Sequence, residues 1–177
     1  YGVVLHAAGQ SVAQDFTEAR EWYALAAAQG VAKAQFNLAF MYAQGQGVAQ
    51  DFTKARECLE RAAEGGYADA QAILGSYYER GREGVAIDLP IARMWFEKAA
   101  AQGHRVARFS LGNMYYQGQG GPQDFTRARE LFELAAAQGQ ADAQYNLGVM
   151  YDEGEGGPQD LTRARELYDL AADQGHA

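Results

Sequence analysis

The chain repeats itself every 36 or 37 residues, and that period constrains its fold more than any other feature. Aspartates recur at Asp15, Asp51, Asp88, Asp124 and Asp160, and glycines keep step at Gly30, Gly66, Gly103, Gly139 and Gly175. A fixed period of this length implies a stacked array, because one such unit cannot bury its apolar face alone. An unbroken repeat over 177 residues predicts one continuous domain, 1–177.

The unit 31–66 serves as reference. Ala34, Leu38, Met41 and Tyr42 recur at helical spacing, which predicts a first helix, A, ended by Gly45. Gln46–Gln50 reads as a turn, and Asp51 is placed to accept hydrogen bonds from the free N–H groups of a second helix, B. Helix B puts Ala55, Leu59, Ala62 and Ala63 on one face and ends at Gly65 and Gly66. The same slots recur in every unit: alanine (Ala34, Ala70, Ala107, Ala143), leucine (Leu38, Leu74, Leu111, Leu147), a small residue (Ala39, Gly75, Gly112, Gly148) and tyrosine (Tyr42, Tyr78, Tyr115, Tyr151). In helix B an alanine is followed one turn later by a large slot holding Trp22, Cys58, Trp95, Leu131 and Leu167. Large residues facing small ones predict close interdigitation of the two helices. The repeats are read as a partial unit 1–30, full units 31–66, 67–103, 104–139 and 140–175, and the start of another at 176–177. Gly81–Asp88 carries one extra residue, which accounts for the single 37-residue period.

Few features carry chemistry. The net charge of −8, with no Lys/Arg cluster, disfavours nucleic acid as a partner. No apolar run of about 18 residues exists, so no membrane span is expected. Cys58 is the sole cysteine and fills a helix B slot, which predicts a packed rather than reactive thiol. His104 and His176 sit two units apart in equivalent turns, and His6 replaces the slot tyrosine, so no metal set forms. The Gly118–Asp124 and Gly154–Asp160 loops resemble phosphate cradles but lack the strand and Lys-Ser/Thr of a P-loop. The second loop is acidic, yet its spacing is not that of an EF-hand, so it is read as a solvated turn with a helix cap. Arg20, Arg56, Arg93, Arg129 and Arg165 form a ladder, and a glutamate follows four of them, which predicts structural pairing. Neither a catalytic set nor a cofactor is expected.

The order A-x-x-x-L-G-x-x-Y-x-x-G, then D-x-x-x-A-x-x-W-x-x-x-A-A-x-x-G, resembles the Sel1-like repeat, a relative of the tetratricopeptide repeats, over essentially the whole chain. The resemblance implies an all-α, right-handed α-solenoid of antiparallel helix pairs, acting as a protein-interaction scaffold whose A helices line the concave side. Cysteine-rich relatives carry disulfides at positions that are not cysteine here, so their reported ligand-binding or hydrolytic role is not carried over. The family occurs in bacterial exported and signalling proteins and in eukaryotic quality control, which leaves periplasmic and cytoplasmic settings both open. The chain lacks an initiator methionine and begins mid-repeat, so it is expected to be a piece of a longer protein.

Comparing the units with one another separates slots fixed by packing from slots that vary. The varying slots form one stripe along helix A: Lys33, Phe36, Phe40, Ala43; then Asp69, Ala72, Ser76, Glu79; then Val106, Phe109, Asn113, Tyr116; then Asp142, Tyr145, Val149, Asp152. Aromatic anchors among polar groups suit a groove for a protein or peptide, and the acidic field favours a basic or amphipathic segment. Alternatively Phe36, Phe109 and Tyr145, which share one slot, complete the core between neighbouring A helices. A second reading of the chain is a structural module that associates with itself through uncapped repeat ends.

Overall fold

The computed structural model describes residues 12–175, with side chains from Phe16 onward. His6, the remnant of a first helix A, and the 176–177 start of a further repeat lie outside the described residues. Among those described the chain is all-α, with nine helices and no strand: α1 (Val12–Ala28), α2 (Ala32–Gln44), α3 (Phe52–Glu64), α4 (Ala68–Arg80), α5 (Leu89–Ala101), α6 (Arg105–Gln117), α7 (Phe125–Ala136), α8 (Ala141–Glu153) and α9 (Leu161–Asp173). The elements alternate as the period requires: even-numbered helices are A, odd-numbered ones are B. This is the helix-hairpin repeat of the α-solenoid class. Two compact units are distinguished, Tyr1–Leu74 and Gly75–Ala177, with α4 running through the division.

The caps explain why the helices start and stop where they do. Asp51, Asp88, Asp124 and Asp160 each hold an extended backbone and accept the N–H three residues on, from Lys54, Ile91, Arg127 and Arg163, at 2.9–3.0 Å. That hydrogen bond satisfies one of the four orphan donors of a helix start, and it is the leading cause of the lowered carboxyl pKa of Asp51. Helices α2, α6 and α8 end at the left-handed glycines Gly45, Gly118 and Gly154. Between the two helices of a hairpin, Gln50, Gln123 and Gln159 turn their amides back onto the carbonyls of Ala43, Tyr116 and Asp152 at 2.6–2.7 Å. The Gln-Asp pair thus closes one helix and opens the next, and the glycine-rich loop before it is built for this turn.

In the first unit, α2 packs between α1 and α3, burying Ala34, Leu38, Ala39 and Met41 against a face that includes Leu59, Ala62 and Ala63. In the second unit, α5 through α9 pack as successive neighbours, with Phe96, Phe132, Leu111, Met114, Leu147 and Met150 in the core. The large slot of helix B is one residue later than its sequence reading. Trp22 is 62% exposed, and Cys58, Trp95 and Leu131 are half-buried, with only Leu167 of that slot in the core. The buried large residues are instead Leu59, Phe96 and Phe132, with Tyr168 half-buried in the same slot. An advance of four residues lands about 40° from the starting alanine, whereas three leave the side chain about 60° short. Burial does push the Cys58 thiol up, in keeping with an unreactive cysteine.

This shifted slot explains the small residue of helix A. A Cβ on Gly112 would lie 2.7 Å from the Phe132 ring, one on Gly75 the same distance from Phe96, and one on Gly148 the same from Tyr168. Where helix B carries the smaller Leu59, helix A carries Ala39. Ring size and the missing methyl are therefore matched repeat by repeat.

Neighbouring hairpins are joined by three recurring ties. Gln35, Gln71 and Gln144 donate their side-chain amides to Ala27, Ala63 and Ala136 near the end of the preceding helix B, and Arg108 does the same to Ala100. The loop glycine Gly120, at φ 69°, sits where a Cβ would collide with the Leu89 carbonyl, and a Cβ on Gly156 would collide in the same way with the Phe125 carbonyl. Third, Arg93 lies 3.7 Å over the Tyr115 ring, donates to the Pro122 carbonyl and approaches Glu97 at 3.4 Å; Tyr115 donates in turn to Glu97. Arg129 repeats this with Tyr151, Pro158 and Glu133. Two rungs of the arginine ladder, Arg93 and Arg129, are thus structural, and their partner is the glutamate four residues on rather than the adjacent one; Arg165 is exposed.

Two predictions follow from this packing. Gly112→Ala lowers unfolding free energy by about 1–2 kcal/mol, since overpacking outweighs the helix propensity gained. Adding Phe132→Leu recovers part of the loss, as the Ala39 and Leu59 slots imply, measured by thermal unfolding. Arg129→Ala costs about 2–3 kcal/mol in urea unfolding, whereas Arg165→Ala, in the same slot but exposed, stays within about 0.5 kcal/mol.

Candidate functional site

The varying stripe of helix A reaches the surface at every position except one: Ala72 is packed in the core. Ala72 shares its slot with Phe36, Phe109 and Tyr145, so that slot lies at the edge of the packed face. In the first unit Lys33 and Phe40 are exposed, Phe40 by 43%. Half-buried Phe36 joins Phe40, at 5.0 Å between ring centroids, to Tyr67, at 4.8 Å. Tyr67, from the turn before α4, has its hydroxyl pKa raised by burial and by Asp69. Three rings thus make one small aromatic surface on this unit.

In the second unit Ser76 and Glu79 are half-buried on α4, and Glu79 pairs with Arg80 at 3.3 Å. Phe109 is half-buried with its ring 5.9 Å from Phe132 of its own hairpin, so it completes that hairpin's core rather than a seam between A helices. Asn113 accepts a hydrogen bond from the Asn146 side chain at 3.1 Å and ties α6 to α8. These positions carry packing duty in addition to any binding role.

The remaining stripe residues converge. Tyr116 stands edge-on to Phe125 at 5.3 Å, and its hydroxyl pKa is raised by burial, by a hydrogen bond to Glu155 and by the charges of Glu155 and Glu153. Tyr145, 43% exposed, lies 5.6 Å from Tyr168. The Tyr168 hydroxyl is shifted up by burial first, then by Asp152, Tyr145 and Glu153. Glu153 acts on both Tyr116 and Tyr168, so the two ring pairs share one negative environment. Asp152 and Glu153 are exposed at the end of α8, and half-buried Val149 lies one turn before them.

Sequence comparison of the A helices could not find Phe125, Tyr168 and Glu155, because they lie on helix B or in the loop, and it passed over Glu153 because the stripe ends at Asp152. One signal was available for Tyr168. A hydroxylated ring in a slot that holds phenylalanine in the two preceding repeats (Phe96, Phe132) implies an edge reaching water. His104 also has a task that its scattered position did not suggest: its Nδ1 accepts the Ala107 N–H and caps α6. Among the described residues no three His, Cys, Asp or Glu side chains gather as a metal site, and no helix is long and apolar enough to cross a membrane.

The Sel1 repeat family model matches residues 1–31, 32–67, 68–104, 105–140 and 141–176. A protective antigen present in uropathogenic Escherichia coli strains, displaying an SLR fold, is 40% identical with a TM-score of 0.80; the match covers 88% of this chain and 33% of that one. A Sel1 repeat protein from Oxalobacter formigenes is 34% identical with a TM-score of 0.76, covering 90% and 63% respectively. The cysteine rich protein B of Helicobacter pylori is 25% identical with a TM-score of 0.56, covering 77% and 97%. No curated protein matches the chain. The chain therefore spans less than two thirds of the length of the first two relatives. Five tandem matches, laid over helix hairpins whose caps and ties recur with the same period, place this chain in the Sel1 repeat family.

Proposed function

We propose that the chain is a non-catalytic interaction scaffold that offers the helix A faces of its repeats to a partner protein or peptide. Sel1 repeat proteins are generally interaction scaffolds, which supports the class of function but names no partner. The observation that carries the reading is a division of labour. Slots that stay constant between repeats are occupied in packing, while Phe40 and Tyr145, in varying slots, remain more than two-fifths exposed. Exposed aromatic rings set among polar groups are the residue type on which protein interfaces concentrate their binding energy. The repeats are taken as one domain, 1–177, because α4 carries a single repeat across residues 74 and 75 without a break.

An enzymatic role has less support. The arginine rungs are spent on tyrosine rings and loop carbonyls, and the glycine-rich loops on capping, so the features that might have bound an anion are engaged in the fold. The partner's class follows from the field: acidic and aromatic side chains suit a basic or amphipathic segment.

The test is affinity capture from the native source, followed by identification of what is retained. Phe40→Ala and Tyr145→Ala together reduce retention at least about tenfold, the loss of one or two hot-spot side chains. Both rings are partly exposed, at 43%, so each truncation costs about 1–2 kcal/mol of stability and leaves the fold intact. Unchanged retention on a correctly folded variant would reject the helix A faces as the binding surface.

A further inference from the structure

The charge of the chain is not spread over its repeats. Residues 141–176 hold eight carboxylates and two arginines, which is −6 of the total −8. The four preceding segments of the repeat are together nearly neutral. A repeat needs an aspartate cap and its ladder pairs, and the other repeats supply these without a large surplus. The excess in the fifth repeat is not required by packing.

Part of that surplus shares a helix face with an exposed ring: Asp152 lies two turns beyond Tyr145 on α8, and both Asp152 and Glu153 are exposed. Tyr145 and Tyr168 lie 5.6 Å apart with their planes tilted by 48°. Asp152 and Glu153 act on the Tyr168 hydroxyl, and Glu153 reaches Tyr116 as well. Among the described residues Asp152 and Glu153 form no ion pair, while Arg163, the neighbouring cation on α9, is bound to Glu166 at 2.8 Å. The slot tyrosines Tyr115 and Tyr151 already carry Arg93 and Arg129 over their faces. The chain thus shows, in its own interior, how it binds a cationic side chain: a tyrosine face with a carboxylate beside it. The same two groups recur at Tyr145, Tyr168, Asp152 and Glu153, this time at the surface.

We propose that this acid–aromatic patch receives a lysine or arginine side chain from an extended cationic segment of a partner protein. The ring faces attract the cation through their quadrupoles, and the two exposed carboxylates neutralise it. The carboxylates also speed encounter, so the association rate falls steeply with ionic strength. This inference rests on the scaffold reading and names the recognition chemistry at one part of that surface.

The experiment uses the full chain and a ten-residue peptide of alternating lysine and alanine, titrated by NMR with a matched peptide whose lysines are acetylated. The lysine peptide shifts amides around residues 145–153 and 168, and the acetylated one does not. Asp152→Asn with Glu153→Gln weakens binding at least about tenfold, and Tyr145→Ala about fivefold. Glu57→Gln with Glu60→Gln, which removes the same charge from α3, leaves binding within about twofold, so net charge alone does not reproduce the effect. All variants keep the wild-type circular dichroism spectrum and melting midpoint to within a few degrees. Equal weakening by both charge-removing pairs, or shifts centred elsewhere, would overturn the proposal. If that happens while capture of the native partner still depends on Tyr145, the scaffold reading stands and the cationic assignment falls.

Discussion

The fold depends on an arginine held between two hairpins. Arg93 and Arg129 are only 11% and 10% exposed at their side chains. A guanidinium withdrawn this far from water requires compensation. Compensation comes from both sides of the junction: a glutamate on its own helix, and a tyrosine face plus a loop carbonyl on the next hairpin. Removing any one partner leaves a poorly solvated charge, so hairpins joined this way stand or fall together. The Gly-Gly-Pro sequence of the later loops has the same origin. A Cβ on Gly157 would lie 2.5 Å from the Arg129 guanidinium, and one on Gly121 2.4 Å from that of Arg93. The loop is bare so that the arginine can reach its carbonyl.

Much of this was legible in the sequence because the repeat supplies internal comparison. Periodicity located the helix pairs, and glycine and aspartate located their ends. The interiors of the repeats were harder. The large slot of helix B was misplaced by one residue since Trp22 and Trp95 draw attention by size, yet Phe96 and Phe132 point inward. Only the matching of those rings to Gly75 and Gly112 reveals the true slot, and that match relates residues about twenty apart. The glutamine ties were likewise invisible: Gln35, Gln71 and Gln144 recur, but nothing in their spacing shows that they seek a carbonyl of the preceding hairpin.

The surface was legible in part. Variation among repeats pointed to the helix A stripe but could not say which members were also used for packing. Ala72, Phe109 and Asn113 are so used; Phe40 and Tyr145 keep more than two-fifths of their surface exposed. Such variation detects freedom from a shared packing role, not exposure. It also misses groups supplied by a different element, and here Tyr168 from α9 and Glu155 from the loop complete what α6 and α8 begin. The candidate surface is therefore assembled across helices and not on helix A alone.

The central claim is that the residues holding the hairpins together and the residues receiving a partner are separate sets. Backbone hydrogen exchange of the chain, with and without its captured partner, addresses it most directly. Separation predicts slowed exchange around Tyr145 and Asp152 on α8 and around Tyr168 on α9, with the arginine-bound loop segments at 120–124 and 156–160 unchanged. Protection concentrated in those loops, or a uniform rise throughout the chain, would show that binding and packing draw on the same groups.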